Sequence, residues 1–79
     1  MMNKNVIYRS IPKVDVLLND EDIQALIGRY SRDTVMEAVH TETDELRRFI
    51  GECEDEEEAL RRVGLLKEQI AAAVTRMHL

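Results

Sequence analysis

The stretch Ser31–Gly51, SRDTVMEAVHTETDELRRFIG, decides the fold class. Serine is a favoured residue ahead of a helix because its hydroxyl accepts from a backbone N–H that the first turn leaves unpaired. Behind it Val35, Met36, Val39, Leu46, Phe49 and Ile50 fall on one stripe at helical spacing, with Thr43 bridging the gap a turn before Leu46. Arg47 and Arg48 suit the negative end of the helix dipole, and Gly51 reads as the stop. The pattern predicts a helix over residues 32–50.

Working outward, Pro12 suits the first turn of a helix, where its missing N–H costs nothing, and Val14, Leu17 and Leu18 then share one face of a two-turn helix. Asn19 and Asp20 are good caps for a second short helix with Ile23, Leu26 and Ile27 on one face, ending near Gly28 to Tyr30. On the other side, a long helix is expected to begin in the acidic stretch after Cys53 and run towards Met77. Leu60, Val63, Leu66, Ile70, Val74 and Met77 are spaced for its buried face, and Gly64, at ~1 kcal/mol relative to Ala, is not enough to break it. Residues 1–10 read as a mobile or loosely docked arm, whose Val6-Ile7-Tyr8 run is the one β-like segment and too isolated to build a sheet. The expectation is therefore all-α: an arm over 1–10 and, over 11–79, a small bundle of about four helices, two short and two long.

Composition bounds the function. A chain of 79 residues, 44% hydrophobic and 34% charged, makes one small domain with a marginal core, for which docking onto a partner is a ready source of extra stability. There is no run approaching the ~20 apolar residues of a membrane span and no signal-peptide pattern, so a cytoplasmic protein without a membrane partner is expected. The single Cys53 excludes an internal disulfide framework. The net charge of −5 argues against a nucleic-acid partner when taken as one number. Its distribution is less adverse, since six of the 16 acids lie between Glu52 and Glu58 and residues 1–50 hold seven basic against nine acidic side chains.

No catalytic constellation emerges. Nothing in spacing ties Cys53 to His40 or His78; His40 and Asp44, four apart, lack the further ligands a zinc site needs; the acids Glu52 to Glu58 lack the alternation and central glycine of a calcium loop. Gly28, Gly51 and Gly64 are too scattered for a phosphate-cradling loop. These residues by themselves are expected to form no enzyme active site and to hold no metal or cofactor. The basic residues offer more: Arg9 and Lys13 flank the first turn, Arg29 and Arg32 bracket Tyr30, and Arg47 and Arg48 end the long helix. Gathered on one surface, with Tyr30 to stack on a base, they would suit an RNA backbone. A helix-turn-helix DNA reader fits less well, because Glu37, Glu42, Asp44 and Glu45 would face the groove.

The segments Ile11-Pro12-Lys13-Val14-Asp15-Val16-Leu17-Leu18, Ile27-Gly28-Arg29-Tyr30-Ser31-Arg32, Val35 to Val39 and Asp44-Glu45-Leu46-Arg47, in this order, resemble the N-terminal domain of bacterial selenocysteine synthase, the L-seryl-tRNA(Sec) selenium transferase. Ser31 and His40 depart from that family's glycine and arginine. The resemblance implies a pyridoxal-phosphate enzyme that converts seryl-tRNA(Sec) to selenocysteinyl-tRNA(Sec) and assembles as a homo-oligomeric ring of dimers. Its cofactor lysine would lie in a catalytic domain beyond residue 79, so that this chain is a fragment without the active site and Lys67 is no Schiff-base lysine. It further implies a tRNA(Sec)-recognition domain, with Arg9, Lys13, Arg29, Tyr30, Arg32, Arg47 and Arg48 as the contacts. The alternative is a structural or interaction module that packs on the catalytic domain or mediates assembly through apolar surface at Ile7, Leu17, Phe49 and Met77.

Overall fold

A computed structural model describes residues 3–78. Among them there is no strand, and the helices are α1 (Lys4–Ser10), α2 (Val14–Leu18), α3 (Glu21–Arg29), α4 (Arg32–Glu52), α5 (Glu56–Gly64) and α6 (Leu66–His78). The all-α class holds, but about four helices becomes six helical segments. Two sequence features account for the difference.

The first is the amino-terminal segment. Its β-like residues form α1, because Asn3 accepts from the Asn5 N–H and Ile7 is fully buried against the bundle. Tertiary burial outweighs the weak strand preference of a three-residue run. Pro12 lies outside both neighbouring helices rather than in a first turn. Ile11 before it is extended at φ −69, ψ 124, the conformation a following proline imposes, and α2 starts only at Val14. The second feature is Gly64. The expected long helix after Cys53 breaks one residue later, at Leu65, whose N–H is shared among the carbonyls of the α5 end. The break re-aims the apolar stripe: Leu66, Ile70, Ala73 and Val74 are buried, whereas Leu60 and Met77 are exposed.

Side-chain caps set the starts of α3, α4 and α5. Asp20 accepts from Asp22 and Ile23, Ser31 from Thr34, and Asp55 from Glu57 and Glu58. Gly51 does not stop α4, which runs to Glu52 with Cys53 as its cap. The chain at Gly51 is closely approached by α1: the glycine carbonyl accepts from Lys4 Nζ at 2.6 Å, and a Cβ would stand a tight 3.2 Å from the Tyr8 hydroxyl.

The centre of the bundle is α4 against α6, with α3 completing a three-helix core and α1, α2 and α5 covering its sides. Lys67 at the start of α6 meets Asp20 and Asp22 at the start of α3, and His78 at its end meets Tyr30 at the end of α3, so these two helices run parallel. Arg76 meets Glu42 of α4, which runs the opposite way. Buried Ile7, Leu17, Ile23, Val35, Val39, Leu46, Ile50, Ile70 and Val74 form one core, each large side chain stabilising by about 1.5–3 kcal/mol before chain entropy is subtracted. Thr43 fills its stripe position with a hydroxyl that finds no partner among the described residues. The molecule is elongated, 42 × 24 × 15 Å.

Candidate nucleic-acid interface

At the corner between α3 and α4, Tyr30 caps α3 and Ser31 caps α4 with no residue to spare. That tight junction puts Arg29, the last residue of α3, and Arg32, the first of α4, on either side of the half-buried Tyr30 in the sequence, with the Arg29 guanidinium the one that contacts its ring. Both arginines are exposed. Arg29 complements the negative end of the α3 dipole, an ordinary helix-terminus role. Arg32 does the reverse, since a cation at a helix N-terminus opposes the dipole, and capping accounts for nothing in its placement.

Tyr30 is not a bare stacking platform. The Arg29 guanidinium lies 5.7 Å from its ring centroid, and the His78 imidazole approaches at 4.8 Å with the planes 73° apart, an edge-to-face contact. The rest of the ring packs on the core. The corner therefore offers cations on a rigid aromatic mount more readily than an open aromatic face.

The remaining basic residues lie elsewhere. Arg47 and Arg48 are exposed on α4 but fall short of its last turn, and at 1.5 Å per residue they stand roughly 22–24 Å along the helix from Arg32. Their end of the molecule carries the acidic segment. Phe49, Cys53 and the carboxylates of Glu52, Glu54, Asp55 and Glu58 line a shallow groove there. Arg9 belongs to α1, whose Lys4 and Tyr8 reach this same end, and Lys13 precedes α2, exposed. The seven candidates thus form no single surface; Arg29, Tyr30 and Arg32 share the α3–α4 corner through their places in the sequence, and the contact there is that of Arg29 with the Tyr30 ring.

Three features escaped the sequence reading. Glu42 is buried, its side chain 8% exposed, with Arg76 Nη2 4.0 Å away. Burial first, and then Glu45, push its carboxyl above the ordinary range against the pull of Arg76 and Arg62. The signal was present, because Glu42 sits three and four residues after Val39 and Ala38 on the apolar stripe. Arg62 covers the Phe49 ring at 4.5 Å, which removes Phe49 from the apolar surface. His78 follows Val74 by one helical turn, so its position beside the core was legible even though its partner was not.

Cys53 and Lys67 are each engaged in hydrogen bonds. The Cys53 thiol donates to the Asp55 carbonyl, and no group of three or more His, Cys, Asp or Glu among the described residues could hold a metal. Lys67 Nζ donates to Asp20 at 3.0 Å and to Asp22 at 3.1 Å, and these hydrogen bonds raise its pKa and lower that of Asp20. No helix among the described residues is long and apolar enough to cross a membrane.

The family model for the selenocysteine synthase N terminal matches residues 8–47, from the second half of α1 through the α3–α4 corner to Arg47. No curated protein and no solved structure matches the chain.

Proposed function

With 40 of its 79 residues inside that match, the chain belongs to the selenocysteine synthase N-terminal family, and we propose that it is the tRNA(Sec)-recognition domain of the selenium transferase that converts seryl-tRNA(Sec) to selenocysteinyl-tRNA(Sec). The observation that carries this reading is the α3–α4 corner inside the matched segment, where the Arg29 guanidinium lies over the Tyr30 ring and exposed Arg32 opens the next helix. Arg32 sits where its own helix disfavours a cation, and an external anion supplies what the helix does not. Contacts of this kind hold a folded RNA by its backbone and shape, which needs no catalytic group. On this reading the pyridoxal phosphate and its lysine belong to a catalytic domain outside these residues, and the natural partners are tRNA(Sec), that domain and further copies of the same enzyme in the cytoplasm.

Binding of the 79-residue chain to a tRNA(Sec) transcript and to an elongator tRNA, at two salt concentrations, tests the proposal. Preferential binding of tRNA(Sec) that weakens with salt is expected. Equal affinity for both RNAs, or none for either, overturns it.

The interaction-module reading keeps one specific support, on residues only partly those expected. Ile7 and Leu17 are core, whereas Met77 is exposed as expected, together with Val16 at 60% on α2, which lines a groove with Leu17, Val63 and Leu66, and Leu60 at 45% on α5. If deleting the domain leaves assembly of the whole enzyme unchanged while abolishing tRNA(Sec) binding, this second reading falls and the first stands.

A further inference from the structure

The sequence match ends at Arg47, yet the candidate RNA corner is completed by a residue 31 positions later, at the end of α6. Tyr30 is held between two side chains of different kinds. Arg29 comes from its own helix and lies over the ring at 5.7 Å; His78 comes from the far end of the sequence and meets the ring edge-to-face at 4.8 Å. The backbone at Tyr30 (φ −108, ψ −105) is outside the regular helical and extended regions, so the helix geometry alone does not fix where this side chain points. The ring is half-buried against the core and meets the ring of His78, an exposed residue, edge-to-face. A long arginine held against a fixed ring loses less freedom on binding a phosphate than one that is free in solvent.

We infer that His78 is a positioning residue for RNA: by bracing Tyr30 it presets the Arg29 guanidinium for a phosphodiester backbone. The inference rests on the tRNA-recognition reading for its purpose, but its mechanism is visible in the free protein. It also gives α6 a role in a site whose other members lie in the family-matched segment. Because bracing depends on ring shape, a flat apolar ring serves as well as imidazole, and because His78 contributes no counted phosphate contact, its loss leaves the salt dependence of binding intact.

The test uses the 79-residue chain and its variants His78→Ala, His78→Phe and Arg29→Gln. In the free protein, Arg29 side-chain proton resonances shifted by the Tyr30 ring should move towards solvent values in His78→Ala and be restored in His78→Phe. With a tRNA(Sec) transcript as probe, His78→Ala should weaken binding several-fold at unchanged salt slope, His78→Phe should recover it, and Arg29→Gln should weaken binding and lower the slope by about one contact. Arg29 resonances unmoved in His78→Ala, or a His78→Phe chain that stays as weak as His78→Ala, overturns the positioning role. If the resonances move as expected but no variant alters RNA affinity, the bracing is real and the recognition reading is what fails. A helical circular-dichroism spectrum and melting midpoint matching the parent chain qualify each variant, and His78→Phe keeps the contact if His78→Ala unfolds.

Discussion

The two ends of α4 use the same ingredients to opposite effect. Each has an aromatic ring with an arginine over it, Tyr30 under Arg29 at one end and Phe49 under Arg62 at the other, and each has a further exposed arginine nearby. At the Tyr30 end the nearest acid in sequence is Asp33 and Arg29 lies over the ring. At the Phe49 end four of the six carboxylates between Glu52 and Glu58 line a groove together with Phe49. Unscreened within the ~8–10 Å Debye length of physiological salt, those carboxylates oppose any phosphate that Arg47 and Arg48 would attract. An arginine near a helix end therefore means little until its neighbours are known.

The largest effect should come from the spine the two ends share. Ile70→Ala, which empties a fully buried site between α6 and α4, should cost about 2–4 kcal/mol in chemical denaturation. One cooperative transition followed equally by Tyr30 and Tyr8 signals is expected; separate transitions would show that the ends fold independently. The charge contrast can be broken directly. Replacing Glu54, Glu56 and Glu57 by Gln should raise RNA affinity several-fold at low salt and much less at high salt, by unmasking Arg47 and Arg48. An unchanged affinity would mean that those arginines point away from bound RNA.

Asp55→Ala removes the α5 cap and should lower stability by about 1 kcal/mol without affecting tRNA binding, because it loosens only the acidic end. The smallest effect lies midway along α4. Glu42 has a raised pKa, so the folded chain binds its proton more readily than the unfolded chain, and stability falls as pH rises from the ordinary carboxylate value through the raised one. Glu42→Gln should flatten that part of the stability profile and raise Tm at neutral pH. Asp20 acts with the opposite sign: its Lys67 hydrogen bond lowers its pKa, so its contribution is present above the ordinary carboxylate value and is lost as pH falls through the lowered one.

The long helix was legible because its signals agree: Ser31 as cap, then a stripe from Val35 to Ile50 that no strand would produce. The other element boundaries depended on weaker signals. Val6, Ile7 and Tyr8 become helical as Ile7 finds a core built from residues far along the chain, and Gly51 lies within α4, approached by Lys4 and Tyr8, rather than at a stop. Gly64 carried the right warning with too small a weight, since the break at Leu65 turns α6 onto α4. For the candidate site, the Arg29-Tyr30-Arg32 run could be read directly, as could its family. The edge of His78 on Tyr30 could not, because sequence periodicity gives the face of a helix and not the neighbour that face will meet. For the same reason the six basic candidates could not be gathered from sequence: α4 sets Arg32 and Arg47 far apart along one helix, and Arg29 alone lies over the Tyr30 ring.

The most direct test of the central claim is the salt dependence of tRNA(Sec) affinity for two charge-neutralised chains, Arg29→Gln with Arg32→Gln, and Arg47→Gln with Arg48→Gln. The expected result is a loss of roughly tenfold or more, about 1.4 kcal/mol, with a shallower salt slope for the first pair, and less than about threefold for the second. Equal losses from the two pairs, or a larger loss from the second, would contradict the assignment of RNA recognition to the Tyr30 end.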